Sequence, residues 1–134
     1  MEKGQFCIDS SFMIDTITKK QKKTKHYETL FMQIKGLMSS SENRISNMAN
    51  FTAAVKASFD FFWVGFYLTE SSDLVLGPFQ GPVACTRIQK GQGVCGSAWS
   101  REKSIIVGNV HEFPGHIACS AESNSEIVIP LIKE

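Results

Sequence analysis

The sequence lacks any apolar run that approaches the roughly 20 residues needed to cross a bilayer. Its N-terminus also lacks the apolar core of a secretory signal, and Glu2, Asp9 and Asp15 argue against a transit peptide. The formal net charge is only +1, which gives no general attraction to nucleic acids or membranes. We therefore expect a cytoplasmic protein that binds neither nucleic acid nor membrane.

The 134 residues suit one domain, and 43% hydrophobic residues suffice for an ordinary core. Close cysteine pairs of the Cys-x2-Cys kind are missing, although the chain has 4 cysteines. In a cytoplasmic protein such cysteines indicate reduced thiols, a metal site or catalytic redox chemistry rather than structural disulfides. Cys7 lies far from the other three, and we interpret it as incidental.

The first 24 residues carry little hydrophobic patterning, and five lysines lie between Lys19 and Lys25, at and just past the end of this segment. Such a charge run is typical of a solvated segment. We expect residues 1–24 to form a basic, partly disordered extension and residues 25–134 to form the domain.

Apolar residues recur at helical spacing in two segments, from Tyr27 to Met38 and from Ile45 to Phe59. Ser39 and Glu42 have the spacing of a capping box, which predicts the start of the second helix. Both helices are most simply a scaffold for the remainder of the domain.

From Phe61 the period changes to that of a strand. One face would carry Phe62, Val64, Phe66 and Leu68, and the other Trp63, Gly65 and Tyr67. A glycine between two large aromatics predicts a hollow with aromatic walls. The alternative is a packed layer in which the glycine permits close approach.

The remaining pattern indicates short strands joined by turns. A hairpin is predicted through residues 70–76, a third strand at 83–88 with Cys85, a short helix at 97–101, and further strands at 105–107 and 127–132. Pro130 suggests that the last strand lies at an edge or bulge. These elements predict an α+β domain with a mostly antiparallel sheet.

A long polar loop at 108–125 holds His111, His116 and Cys119. Long loops in compact domains are usually functional or disordered. Imidazolium or backbone N–H groups near Cys119 could favour its thiolate, and Cys85 or Cys95 could trap an oxidised Cys119 as a disulfide.

Two other readings of these residues stay open. Cys85, Cys95, His111, His116 and Cys119 offer enough ligands for zinc, although structural zinc sites usually show tighter spacing. The three thiols could also be buried as small hydrophobic side chains.

Several runs of residues together resemble the free methionine-R-sulfoxide reductases, enzymes built on a GAF domain. The similarity covers about residues 27–134, and the motifs match almost residue by residue. They are residues 63–68 (WVGFYL), 74–81 (LVLGPFQG), 84–85 (AC), 91–96 (GQGVCG), 110–119 (VHEFPGHIAC) and 123–128 (SNSEIV).

This resemblance implies reduction of the R epimer of free methionine sulfoxide without a bound cofactor. Cys119 then attacks the sulfoxide sulfur and becomes a sulfenic acid. Cys85, or alternatively Cys95, condenses with it to a disulfide that thioredoxin reduces. A reversed assignment, with Cys95 attacking, is not excluded by the sequence.

The same resemblance implies roles for three substrate-binding residues. Trp63 and Tyr67 hold the methyl end of the sulfoxide, and Glu126 holds the substrate amine or the sulfoxide oxygen. A GAF-type ligand-binding or redox-sensing module without turnover is the alternative function.

The sequence departs from the family pattern at its end. Family members continue with a strand of Leu-Asp-Ile-Asp pattern, whose aspartates belong to the substrate site, and a C-terminal helix. Since this sequence ends at Glu134, we expect an open sheet edge, weak or no reductase activity and a tendency to self-associate, as a homodimer or through a strand from another copy.

Overall fold

A computed structural model describes residues 4–9, 17–39, 43–117 and 120–133. Within these ranges, the side chains of residues 5, 7–9, 17–21 and 39 are not described. The helices are α1 (Ile17–Ser39), α2 (Arg44–Ser58) and α3 (Gly93–Arg101), with a 3-10 turn at Val110–Glu112. The strands are β1 (Gly4–Asp9), β2 (Trp63–Glu70), β3 (Asp73–Gln80), β4 (Arg87–Gln89), β5 (Ile105–Val107) and β6 (Glu126–Leu131).

The described strands form one sheet in the order β4-β3-β2-β1-β6-β5, and every neighbouring pair is antiparallel. The predicted hairpin is present as β2 and β3, which pair from Glu70↔Asp73 back to Val64↔Gln80. The prediction of an α+β domain with an antiparallel sheet is confirmed.

Strand β1 lies in the middle of the sheet, between β2 and β6. The prediction of a disordered extension is therefore wrong for Gly4–Asp9, and also for residues 17–24, which begin α1. The sequence pattern missed this strand because both of its partners are distant along the chain. Since β1 pairs with both β2 and β6, neither of these two strands is an edge of the described sheet.

One face of the sheet is covered by α1 and α2. Phe6 of β1 lies in this layer, with ring centroids 4.9 Å from Phe51 and 5.3 Å from Phe66. The cap of α2 differs from the predicted capping box: Asn43 is the N-cap, and its side chain accepts a hydrogen bond of 2.9 Å from the Ser46 N–H. The buried members of the layer are Phe6, Leu30, Ile34, Met48, Val55, Phe61, Val64 and Phe66.

The opposite face of the sheet carries a second apolar layer, which includes α3. Trp63 and Tyr67 belong to this layer, whereas Val64 and Phe66 belong to the first, so the predicted division of β2 into two faces is confirmed. Its buried members are Trp63, Tyr67, Leu74, Ile88, Val94, Cys95, Ala98, Val107, Val110 and Val128.

Two element boundaries differ from the sequence expectations, and so does the position of β6 in the sheet. The predicted third strand is only Arg87–Gln89, so Cys85 lies in the connection before it. Helix α3 begins at Gly93 rather than residue 97 and therefore contains Cys95. Strand β6 is an interior strand, but its pairing with β5 involves only residues 126–128, so Pro130 lies beyond the end of β5. A proline is tolerated there because no β5 carbonyl requires its missing N–H.

Among the described residues, no helix is both long and apolar enough to span a membrane.

Candidate active site

A cavity of about 80 Å³ opens on the face of the sheet that carries α3. This volume suits a small metabolite rather than a macromolecule, because one water needs about 10–15 Å³ on such a measure. Strand β2, the connection before β4, the start of α3 and the chain before β6 all contribute to its wall. The lining residues are Phe62, Trp63, Tyr67, Pro82, Val83, Ala84, Ile88, Gln92, Gly93, Val94, Cys95, His116, Ile117, Ser120, Ser123 and Glu126.

The aromatic wall of the cavity is a stack of three rings. Trp63 lies between Phe79, at 5.5 Å and 16°, and Tyr67, at 6.1 Å and 27°. A Cβ at Gly65 would overlap the Trp63 ring and lie 2.5 Å from the Phe79 Cβ. The hollow predicted at Gly65 is therefore filled by Trp63, and the alternative of a glycine that permits close approach is correct.

Two buried ring nitrogens at the cavity have no hydrogen-bond partner among the described residues: Trp63 Nε1 and His116 Nε2. Trp63 is only 7% exposed, and an indole N–H can only donate. An unpaired buried donor costs about 1–3 kcal/mol. A ligand that brings an acceptor into the cavity would remove this cost.

The acid–thiol pair of the cavity is Glu126 and Cys95. Glu126 begins β6, Cys95 lies in the first turn of α3, and the Cys95 Sγ donates to the Glu126 Oε1 at 3.4 Å. Cys95 is 6% exposed and carries a thiol rather than a disulfide sulfur. The two predicted site residues therefore meet, although they are 31 positions apart.

Cys85 is half-buried, packs against the layer around Trp63 and is one half of a disulfide bond. Its backbone carbonyl accepts a hydrogen bond of 2.7 Å from the Tyr67 hydroxyl, which ties the connection before β4 to the aromatic wall. Cys119 lies outside the described residues, so its predicted role rests on the sequence. His116 and Ser120 on either side of it line the cavity.

Histidines of the polar loop are close to each other but do not form a metal cluster within the described part of the chain. The rings of His111 and His116 are 6.2 Å apart and nearly perpendicular. No group of three or more His, Cys, Asp or Glu side chains that could hold a metal occurs among the residues the structure describes.

One part of this wall was not predicted from the sequence. Helix α3 was expected only from residue 97, but it begins at Gly93, and both Gly93 and Val94 line the cavity. Gly93 adopts a φ of +60°, so a side chain there would be strained, although its Cβ would meet Ile117 only at an ordinary contact distance of 3.5 Å. The cluster of glycines was the available signal for this backbone conformation.

Comparison with protein-family models gives no match. Comparison with characterised sequences gives clear relatives. The chain is 60% identical over 116 residues to GAF domain-containing protein A of Dictyostelium discoideum, covering 86% of this chain and 73% of the relative. It is 47% identical over 111 residues to the free methionine-R-sulfoxide reductase of Escherichia coli, covering 82% of this chain and 67% of the relative.

Solved structures include a close neighbour of the same kind. The free methionine-R-sulfoxide reductase of Neisseria meningitidis, determined in complex with its substrate, superposes with a TM-score of 0.80 at 45% identity. The match covers 92% of this chain and 71% of that chain.

Proposed function

The chain belongs to the free methionine-R-sulfoxide reductase family of GAF-fold enzymes, and we propose on this basis that it reduces free L-methionine-(R)-S-oxide to L-methionine. The observation that carries the proposal is the cavity itself. It combines an aromatic wall, a buried N–H donor without a described partner, a thiol and a carboxylate in a volume that suits an amino acid.

The aromatic wall suits the methyl end of the substrate. A sulfoxide S–CH3 group is polarised and soft, and such groups make favourable contacts with aromatic faces. We place this group against Trp63 and Tyr67. The sulfoxide oxygen is a strong acceptor, which matches the buried Trp63 Nε1–H, and Glu126 is the lining carboxylate that can hold the substrate amine.

The redox chemistry needs two cysteines. We propose that the Cys119 thiolate attacks the sulfoxide sulfur while the oxygen takes up a proton, after which methionine leaves and the oxygen stays on Cys119 as a sulfenic acid. The Cys85 thiol then attacks that sulfur, water leaves, and a Cys85–Cys119 disulfide remains. The disulfide-bonded state of Cys85 supports its role as the resolving thiol.

A dithiol reductant must restore the two thiols after each turnover. We propose thioredoxin, because exchange with its own pair of thiols transfers two electrons and leaves a thioredoxin disulfide. We also propose that the protein and this reductant work together in the cytoplasm.

A second function is a GAF-type ligand-binding or redox-sensing module without turnover. The relative at 60% identity bears only the name of a GAF domain-containing protein, which is compatible with either role. The oxidised Cys85 would then record exposure to an oxidant rather than a catalytic cycle.

The deciding experiment is a thioredoxin-coupled assay of the 134-residue chain with the R and S epimers of free methionine sulfoxide. The reductase turns over the R epimer, and Cys119→Ser abolishes turnover while retaining ligand binding. Binding without turnover in the unmodified chain would favour the sensor. The measured rate also tests the expectation of weak or no reductase activity.

A further inference from the structure

The contact between Cys95 and Glu126 separates Cys95 from the other proposed redox cysteines. Cys85 is disulfide-bonded, whereas Cys95 carries a thiol that donates to the Glu126 Oε1 at 3.4 Å. From the sequence, Cys85 was the expected resolving thiol, with Cys95 as the alternative.

We propose that Cys95 is a positioning residue, whose thiol orients the Glu126 carboxylate toward the substrate, and not a resolving thiol. This inference rests on the proposed function, since Glu126 is taken to hold the substrate amine. In this role, Cys95 contributes to substrate specificity through a hydrogen bond and not through redox chemistry of its sulfur.

The geometry explains why a thiol suits this position. Cys95 lies in the first turn of α3 and is 6% exposed, so its side chain is fixed by the helix and by the surrounding apolar layer. Glu126 is at the start of β6, where its backbone pairs with Asp9 and Val107. The Cys95 thiol, held rigidly on α3, therefore orients the Glu126 carboxylate, while the sheet holds the backbone of Glu126.

The same contact disfavours nucleophilic chemistry at Cys95. The thiolate is the attacking form of cysteine, and it has no proton to donate. A Cys95 thiolate would place a second negative charge 3.4 Å from the Glu126 oxygen with which it now shares a proton. Attack by Cys95 on a sulfenic acid would first have to break this contact.

Replacing Cys95 with serine or with alanine distinguishes a positioning role from a resolving role. Cys95→Ser keeps a hydroxyl donor but no sulfur, whereas Cys95→Ala removes both. For a positioning residue, we expect Cys95→Ser to keep kcat and KM within about threefold. Cys95→Ala should raise KM for the sulfoxide about tenfold, with a smaller change in kcat, which is the size typical of one lost hydrogen bond to a charged group.

Cys85→Ser is the contrasting variant, because it should stop multiple turnover with thioredoxin while still releasing one methionine per chain. If Cys95→Ser loses multiple turnover as completely as Cys85→Ser, Cys95 resolves and the proposal is wrong. An unchanged KM in Cys95→Ala would also overturn it.

A second readout does not depend on activity. The rate at which iodoacetamide alkylates Cys95 can be followed by peptide mass spectrometry in the reduced chain. Glu126→Gln removes the negative charge that opposes the thiolate, so alkylation should become about tenfold faster. Glu122→Gln, at an exposed carboxylate that does not line the cavity, should leave the rate unchanged.

These readouts distinguish a failure of the proposed reductase function from a failure of the Cys95–Glu126 positioning contact. An unmodified chain without turnover would refute the proposed function alone, provided that Glu126→Gln still accelerates alkylation of Cys95. Equal alkylation rates in the unmodified chain and in Glu126→Gln would refute the positioning contact, whether or not the chain is an active reductase.

Discussion

The Tyr67 hydroxyl donates a hydrogen bond of 2.7 Å to the backbone carbonyl of Cys85. Tyr67 is 3% exposed and belongs to the aromatic wall, whereas Cys85 lies in the connection between β3 and β4. One bond therefore links the wall that we assign to the substrate methyl group with the chain that carries the proposed resolving thiol.

Tyr67→Phe keeps the ring but removes this bond and leaves the Cys85 carbonyl without its donor. We expect a loss of about 1 kcal/mol in the free energy of unfolding, which lowers Tm by about 3–5 °C in a chain of this size. Disulfide formation by Cys85 should also slow, because its backbone is held less firmly. Differential scanning calorimetry and thiol titration after a single turnover measure these effects.

The matched control is Tyr27→Phe, since Tyr27 on α1 is 43% exposed and stacks on Phe59 in the other layer. It should leave disulfide formation unchanged. Equal rates of disulfide formation in Tyr67→Phe and Tyr27→Phe would show that the hydroxyl does not position Cys85.

Trp63→Phe tests the buried indole N–H. The smaller ring retains part of the aromatic wall but has no donor, so the sulfoxide oxygen loses a hydrogen bond that forms only when ligand is bound. We expect KM for free methionine-R-sulfoxide to rise about tenfold. Steady-state kinetics in the thioredoxin-coupled assay measure the change.

Trp99→Phe is the control for that substitution. Trp99 lies at the margin of the same apolar layer, carries the Lys90 ammonium 5.1 Å from its ring and does not line the cavity. Its KM should stay within about twofold of the unmodified chain. An equal rise in both variants would indicate a general loss of packing rather than a lost contact with substrate.

Gly65→Ala should destabilise the domain by about 1–3 kcal/mol, because the added methyl overlaps the Trp63 ring and approaches Phe79 Cβ to 2.5 Å. Substrate binding should weaken with it as the Trp63 ring shifts. Gly36→Ala is the matched substitution: nothing lies within 4 Å of its new methyl, and its position in α1 predicts a gain of about 0.5–1 kcal/mol. Urea unfolding of both variants should give effects of opposite sign.

Local periodicity predicted β2 well, and the reason is physical. The side chains of a strand alternate between faces, so the run from Trp63 to Leu68 predicted which residues share the layer of α1 and α2 and which share the layer of α3. The prediction was wrong for Phe62, which precedes β2 and packs against the layer of α3 rather than beside Val64. The resemblance of the motifs then indicated Trp63, Tyr67, Cys95 and Glu126, which the fold brings to one cavity.

Features that depend on distant partners were not predictable in this way. The six residues of β1 give too short a pattern, and their pairing with β2 and β6 joins positions about 60 and 120 residues apart. The start of α3 was missed because glycines at 91, 93 and 96 favour a loop by propensity, whereas the helix is stabilised by packing of Val94, Cys95 and Ala98.

The central position of β1 predicts that the N-terminal segment is essential for stability. Phe6 is 8% exposed and packs against Phe51 and Phe66, so Phe6→Ala should cost about 3–5 kcal/mol. The loss also frees the facing edges of β2 and β6, which are then available to pair with another chain. We expect Phe6→Ala to unfold at a lower urea concentration and to show concentration-dependent association in light scattering.

Phe31→Ala is the control, because Phe31 is 65% exposed and its substitution should change the free energy of unfolding by less than about 0.5 kcal/mol. Equal midpoints for the two alanine variants would show that β1 does not hold the sheet together, and that β2 and β6 are stabilised by other contacts.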